Sequence, residues 1–147
     1  MPPLPRAAYR HFLSIPTRWK DNDVYGHVNN VVYYSYFDTA VNEHLIRSGA
    51  LVPATAPVIG VVIETQCRYH HELSFPETIE AGMAVVKLGR TSVVYRIGLF
   101  KQDAAEPAAS GRFVHVYVDR QTRRPVPIPA GIQAALRPLC SALETSG

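Results

Sequence analysis

The pattern that most limits this chain is one helical stripe followed by four alternating runs. Across residues 31–48, Tyr33, Tyr36, Phe37, Ala40, Val41 and Leu45 recur at the spacing of one helix face. Ser35, Asp38, Thr39 and Asn42 gather on the other side, and Gly49 is the expected stop. The stripe is wide and aromatic, which suits a helix wrapped by a curved sheet better than one lying in open solvent. His44 falls within it and is expected to be a hydrogen-bonded core histidine.

Downstream, Ile59, Val61, Ile63, Thr65, Cys67 and Tyr69 are expected on one face of the first run, and Ile79, Ala81, Met83 and Val85 together in the second, residues 78–88. The third, residues 92–101, gathers Val93, Tyr95, Ile97 and Leu99. The fourth, residues 109–119, alternates Phe113, His115 and Tyr117 with Val114, Val116 and Val118. Upstream, residues 9–19 read as a first strand, placed at an edge by Pro16. The order is strand, long helix, a meander of four hairpin-linked strands, then a terminal helix over residues 131–143 interrupted by Pro138. Helix and strands are segregated, so the expected class is α+β. Strands of about ten residues are long enough to curl around one helix, and their open edges invite a second copy of the chain.

Composition removes several alternatives. A chain of 147 residues with 47% apolar content fits a single domain, residues 1–147, with a core that needs neither disulfide nor structural metal. Cys67 and Cys140 have no neighbours at ligand spacing, as a reducing cytosol would tolerate. The first six residues lack an apolar leader, and the apolar-rich stretch 51–63 contains two prolines and is too short to span a bilayer. The expectation is a cytoplasmic protein with no membrane role. Net charge is +3, and the basic residues are scattered apart from Arg120, Arg123 and Arg124, so no nucleic-acid face is expected.

Chemistry concentrates between the first strand and the helix. Residues 18–34 hold Asp21, Asp23, Gly26, His27, Asn29 and Asn30. Asn29 or Asn30 is a natural N-cap, and the free amides beyond it carry partial positive charge able to stabilise an oxyanion. An acid held beside such a helix start is a reasonable base or nucleophile. Equally, these residues could do no more than build the turn and cap the helix.

The stretch 21–30, Asp-Asn-Asp-Val-Tyr-Gly-His-Val-Asn-Asn, followed by the aromatic helix, resembles the 4-hydroxybenzoyl-CoA thioesterase family of hotdog-fold acyl-CoA thioesterases. Gly89-Arg-Thr-Ser92, Gly111-Arg112, Val118-Asp119 and the proline-rich residues 125–129 extend the likeness. It implies a five-stranded antiparallel sheet wrapped around one long central helix. It also implies a homodimer or tetramer with active sites at the subunit interface, acting on a small-molecule acyl-CoA without metal or cofactor, CoA being part of the substrate. By the same resemblance the catalytic acid falls on Asp23, with Asp21 the lesser choice, and the carbonyl-polarising main-chain amide on Asn30. His27 matches a position that more often orients or caps than carries a proton.

Asp38 is the alternative acid: Asp38-Thr-Ala40 resembles the helix carboxylate of another hotdog branch, although Asn29-Asn30-Val31 stands where that branch has His-Gly-Gly. Arg90, Thr91 and Ser92 are candidate contacts for CoA phosphates or pantetheine, with Arg68 and the Arg120 group behind them. Tyr33, Tyr34, Tyr36 and Phe37 can line an acyl pocket but at helical spacing read first as core. His70-His71-Glu72 is not expected to bind metal, since adjacent strand residues face opposite ways. No Gly-x-Ser-x-Gly elbow or phosphate loop occurs. The rival readings are a hotdog hydratase or dehydratase, disfavoured because Asn22 stands five residues before His27 where that pattern has Asp, and a non-catalytic acyl-CoA-binding module.

Overall fold

A computed structural model describes residues 3–140. Its elements in chain order are β1 (His11–Pro16), α1 (Val32–Arg47), β2 (Val58–Tyr69), β3 (Thr78–Leu88), β4 (Ser92–Lys101), β5 (Ala109–Asp119) and α2 (Ala130–Leu136). The strands form one antiparallel sheet in the order β1-β3-β4-β5-β2. The chain is therefore α+β. No described helix is long and apolar enough to cross a membrane.

The helix forms where periodicity places it. All six residues of its apolar stripe are buried, and they join Met83, Ile97, Leu99 and Phe113 in one core. Gly49, at φ +79°, ends it in the left-handed conformation that glycine adopts without a Cβ penalty. His44 is half-buried, and its Nε2 lies 3.0 Å from the carbonyl of Ala135, tying α1 to α2. Pairing register aligns His11, Met83, Ile97, Gly111 and Cys67 in a row across the sheet. Phe37 sits on Gly111, where a Cβ would overlap its ring. Gly111→Ala is thus expected to destabilise the fold by about 3 kcal/mol through overpacking, read as a lower denaturant midpoint with unchanged m-value.

Several expectations need correction. β1 is shorter than residues 9–19, though it does lie at an edge, paired only with β3. The four later strands are not a meander: β2 pairs with β5 at the opposite edge, and residues 70–77 cross the end of the sheet to reach β3. Alternation reports which face a residue takes, and is silent on which strand lies beside it. The single face read along β2 is also broken. Val62 opposes His115 and Glu64 opposes Val114, so Ile63 is the extra residue of a bulge and is 61% exposed. Thr65 and Cys67 stay on the helix side, while Ile59 and Val61 turn away from it. The terminal helix stops at Leu136, followed by a 3-10 turn, Arg137–Leu139, as Pro138 breaks the ladder. Residues 141–143 of that expected helix lie outside the described residues.

Candidate active site

The loop before α1 is built around Asp21, which is 1% exposed. Its carboxylate accepts hydrogen bonds from the Arg18 backbone (2.8 Å), the Arg18 guanidinium (2.9 and 3.1 Å) and the Tyr36 hydroxyl (2.9 Å). Its carbonyl accepts from Asn29 N–H at 2.8 Å. Burial pushes the Asp21 carboxyl up, but the hydrogen bonds from Arg18 and Tyr36 outweigh it and hold it below the ordinary value. Asp21 is thus the anchor of this loop.

Two residues on, the chain reverses. Asp23 N–H donates to His27 carbonyl (2.8 Å), Gly26 N–H to Asp23 carbonyl (3.2 Å), and Asp23 Oδ1 accepts from Tyr25 N–H (2.9 Å). Gly26 takes φ +86°, which explains the Asp-x-x-Gly spacing: an Asx turn followed by a left-handed residue. Asp23 is left half-buried with one oxygen engaged, on the wall of a cavity of about 300 Å³.

The helix entry forms another part of that wall. Neither asparagine is the cap residue: Val31 occupies that position without a side-chain cap, because a tight turn comes first. Asn29 supplies both acceptors of that turn, its Oδ1 to Val31 N–H (3.1 Å) and its carbonyl to Val32 N–H (2.9 Å). The Asn30 N–H has no acceptor among the described residues, while its carbonyl accepts from the Tyr69 hydroxyl at 2.9 Å.

The rest of the wall comes from the crossover. Tyr69, His70, His71 and Glu72 line the cavity beside Asp23, His27, Val28, Asn30 and Tyr33. In the sequence the His-His-Glu run stands out only as a possible metal motif. Its position between a strand end and a proline turn was the signal that it is loop. Glu72 Oε2 stands 2.7 Å from His27 Nε2, and His70 Nε2 is 3.2 Å from Ser110 Oγ. Burial and the neighbouring His71 lower the His70 pKa. Buried Tyr33 forms the floor, its hydroxyl pushed up by desolvation.

Other expected contacts lie elsewhere. Arg90, Thr91 and Ser92 lie at the β3–β4 hairpin, with Ser92 level with Val61 of β2, whereas the cavity lies beyond Tyr69. That separation is roughly 20 Å along the strands. Asp38 is exposed, accepts from Asn42 Nδ2 (3.1 Å), and faces a different cavity.

A model of the thioesterase-like superfamily matches residues 17–136. The chain belongs to that superfamily. Among solved structures, the PA5185 protein of Pseudomonas aeruginosa is 49% identical, with TM-score 0.94 over 96% of this chain and 99% of that one. The PA2801 protein of the same organism, named provisionally as a thioesterase, is 28% identical, with TM-score 0.78 over 86% and 98%. DHNA-CoA thioesterase from Staphylococcus aureus, 21% identical with TM-score 0.72 over 79% and 78%, shares the fold. Within this thioesterase-like chain, the matched span includes the Asp23 turn, the helix entry and the crossover alike.

Proposed function

We propose that this chain is a hotdog thioesterase of the 4-hydroxybenzoyl-CoA thioesterase type, hydrolysing an acyl-CoA to free acid and CoA. One observation carries the reading: Asp23 and Asn30, whose N–H has no acceptor among the described residues, line one cavity at the entry to α1. A thioester carbonyl bound there meets a donor where negative charge develops and an acid beside it. As general base, Asp23 takes a proton from water as the water oxygen bonds to the carbonyl carbon. The oxyanion collapses, the C–S bond breaks, and CoA leaves as a thiolate that is then protonated. As nucleophile, Asp23 forms a mixed anhydride with loss of the same thiolate, and water hydrolyses it. His27, held by Glu72, orients the bound thioester.

The β2 edge is where a second copy joins in this reading, extending the sheet into a dimer. It exposes Val62 and Ile63, an uncovered apolar edge that favours pairing. Arg90–Ser92, remote from the cavity of their own chain, reach CoA from that partner. The test is a panel of acyl-CoAs with detection of free thiol. Turnover of at least one member supports the hydrolase; tight acyl-CoA binding with no thiol released overturns it in favour of a binding module. A single turnover in heavy-oxygen water separates the two roles of Asp23, because only an attacking carboxylate passes its own unlabelled oxygen to the first product.

A further inference from the structure

A second cavity, of about 350 Å³, lies between the distal half of α1, the loop after Gly49, and the β2/β5 edge, and shares no residue with the first. Its walls are Leu45, Ile46, Leu51 and Pro53, with Gly60 of β2 and Tyr117 and His115 from β5. His115 is 3% exposed, and both its ring nitrogens lack a hydrogen-bond partner among the described residues. Leaving a buried polar atom unpaired is costly, and native structures hold few such atoms. The neighbours give no relief: the rings of Tyr95 and Phe113 pack on the imidazole at 5.6 and 4.9 Å. On the remaining side, Gly60 keeps the wall open, since a Cβ there would stand 3.2 Å from His115 Nδ1 and 3.2 Å from Tyr117 Cζ.

We propose that this cavity is a second binding site, taking an uncharged, ring-sized apolar group whose hydroxyl hydrogen-bonds to His115. Size follows from volume, because about 150 Å³ of apolar space holds a benzene ring, leaving room here for a substituted one. Charge follows from the lining. Among the described residues no lysine or arginine lines the cavity and Asp38 stands at its rim, so a carboxylate finds no counter-ion there. An ammonium would meet Asp38 only at the exposed rim and would be desolvated at the His115 end. Burial drives the His115 pKa down to about 4, so the imidazole is neutral at pH 7 and offers one donor and one acceptor. A hydroxyl pairs with either.

The same chemistry reaches the site as a free alcohol or as the end of a thioester's acyl group, and two measurements separate these sources. The first titrates the protein with cyclohexanol, cyclohexylamine and cyclohexanecarboxylate, following the His115 imidazole ¹⁵N resonances. Cyclohexanol is expected to shift them saturably, and the two charged analogues to bind at least about tenfold more weakly. Followed by the Tyr117 ring resonances, which both variants keep, His115→Phe, which removes the unpaired nitrogens at similar volume, and Gly60→Ala, which narrows the wall, should each weaken cyclohexanol by about tenfold. Unmoved His115 resonances, equal affinity for the carboxylate, or undiminished binding in both variants overturns the site. The second measurement compares kcat/KM for thioesters of cyclohexanecarboxylate and its 4-hydroxy derivative. A preference for the hydroxylated acyl group that His115→Phe abolishes assigns the site to substrate, and no preference assigns it to a free ligand. Cyclohexanol binding without hydrolysis of any thioester fails the hydrolase reading alone, and hydrolysis without cyclohexanol binding fails this inference alone.

Discussion

Asp23→Asn is expected to lower kcat for the best acyl-CoA by roughly 10²- to 10⁴-fold, the span of a lost general base. The substitution is chosen for what it preserves. An amide oxygen at Oδ1 still accepts the Tyr25 N–H, so the Asp23–Gly26 turn stays closed and the thermal midpoint should move by less than about 2 °C. KM should change by less than about threefold, since the loss falls on the transition state. Asp38→Asn is the matched control: Asp38 faces the other cavity, its carbonyl also bonds Asn42, and turnover of an acyl-CoA without a hydroxylated acyl group should stay within about threefold of wild type. The reverse result, with Asp38→Asn inactive and Asp23→Asn active, would move the chemistry down the helix and leave the free amide at its entry without a role.

The two halves of the site differ in how far the sequence discloses them. Asp23, His27 and Asn30 fall within eight residues of one loop, and turn chemistry with a helix start is local enough to read from residue types. Tyr69, His70, His71 and Glu72 arrive from some forty residues further on, because β2 pairs with β5 and the chain must cross the sheet's end. Nothing in an alternating pattern encodes that neighbour relation. The bulge at Ile63 is hidden for a similar reason: the extra residue is itself apolar, so the alternation shows no break. The helix stripe and the bounds of β3, β4 and β5 are read closely, since burial on one face leaves its period directly in the sequence. His115 did carry a signal. It is the one histidine on the core face of β5, between Phe113 and Tyr117, and a polar group among aromatics calls for a partner.

Asp21→Ala should destabilise the protein by about 3 kcal/mol, lowering the thermal midpoint by roughly 10 °C. Removal of a buried carboxylate leaves the Tyr36 hydroxyl without its acceptor inside the core and unties Arg18 from the loop. The exposed Arg18 guanidinium regains water, which keeps the cost toward the lower end of the range for broken buried pairs. Asp21→Asn retains an acceptor for Tyr36 and should recover about half of the loss. The pH dependence separates the charge from the packing. Because the folded carboxyl is held below its ordinary value, the unfolded chain binds the proton first as pH falls. The electrostatic share of the stability is therefore present in full above about pH 4 and disappears as pH falls through the lower, folded-state value. Wild type and Asp21→Asn should converge below that point, whereas Asp21→Ala keeps its packing deficit throughout. A constant gap between wild type and Asp21→Asn from pH 7 to pH 3 would remove the charge from this account and leave only shape. Since Asp21 also receives the Asn29 N–H through its carbonyl, the loosened loop should lower kcat in Asp21→Ala even well below its melting temperature.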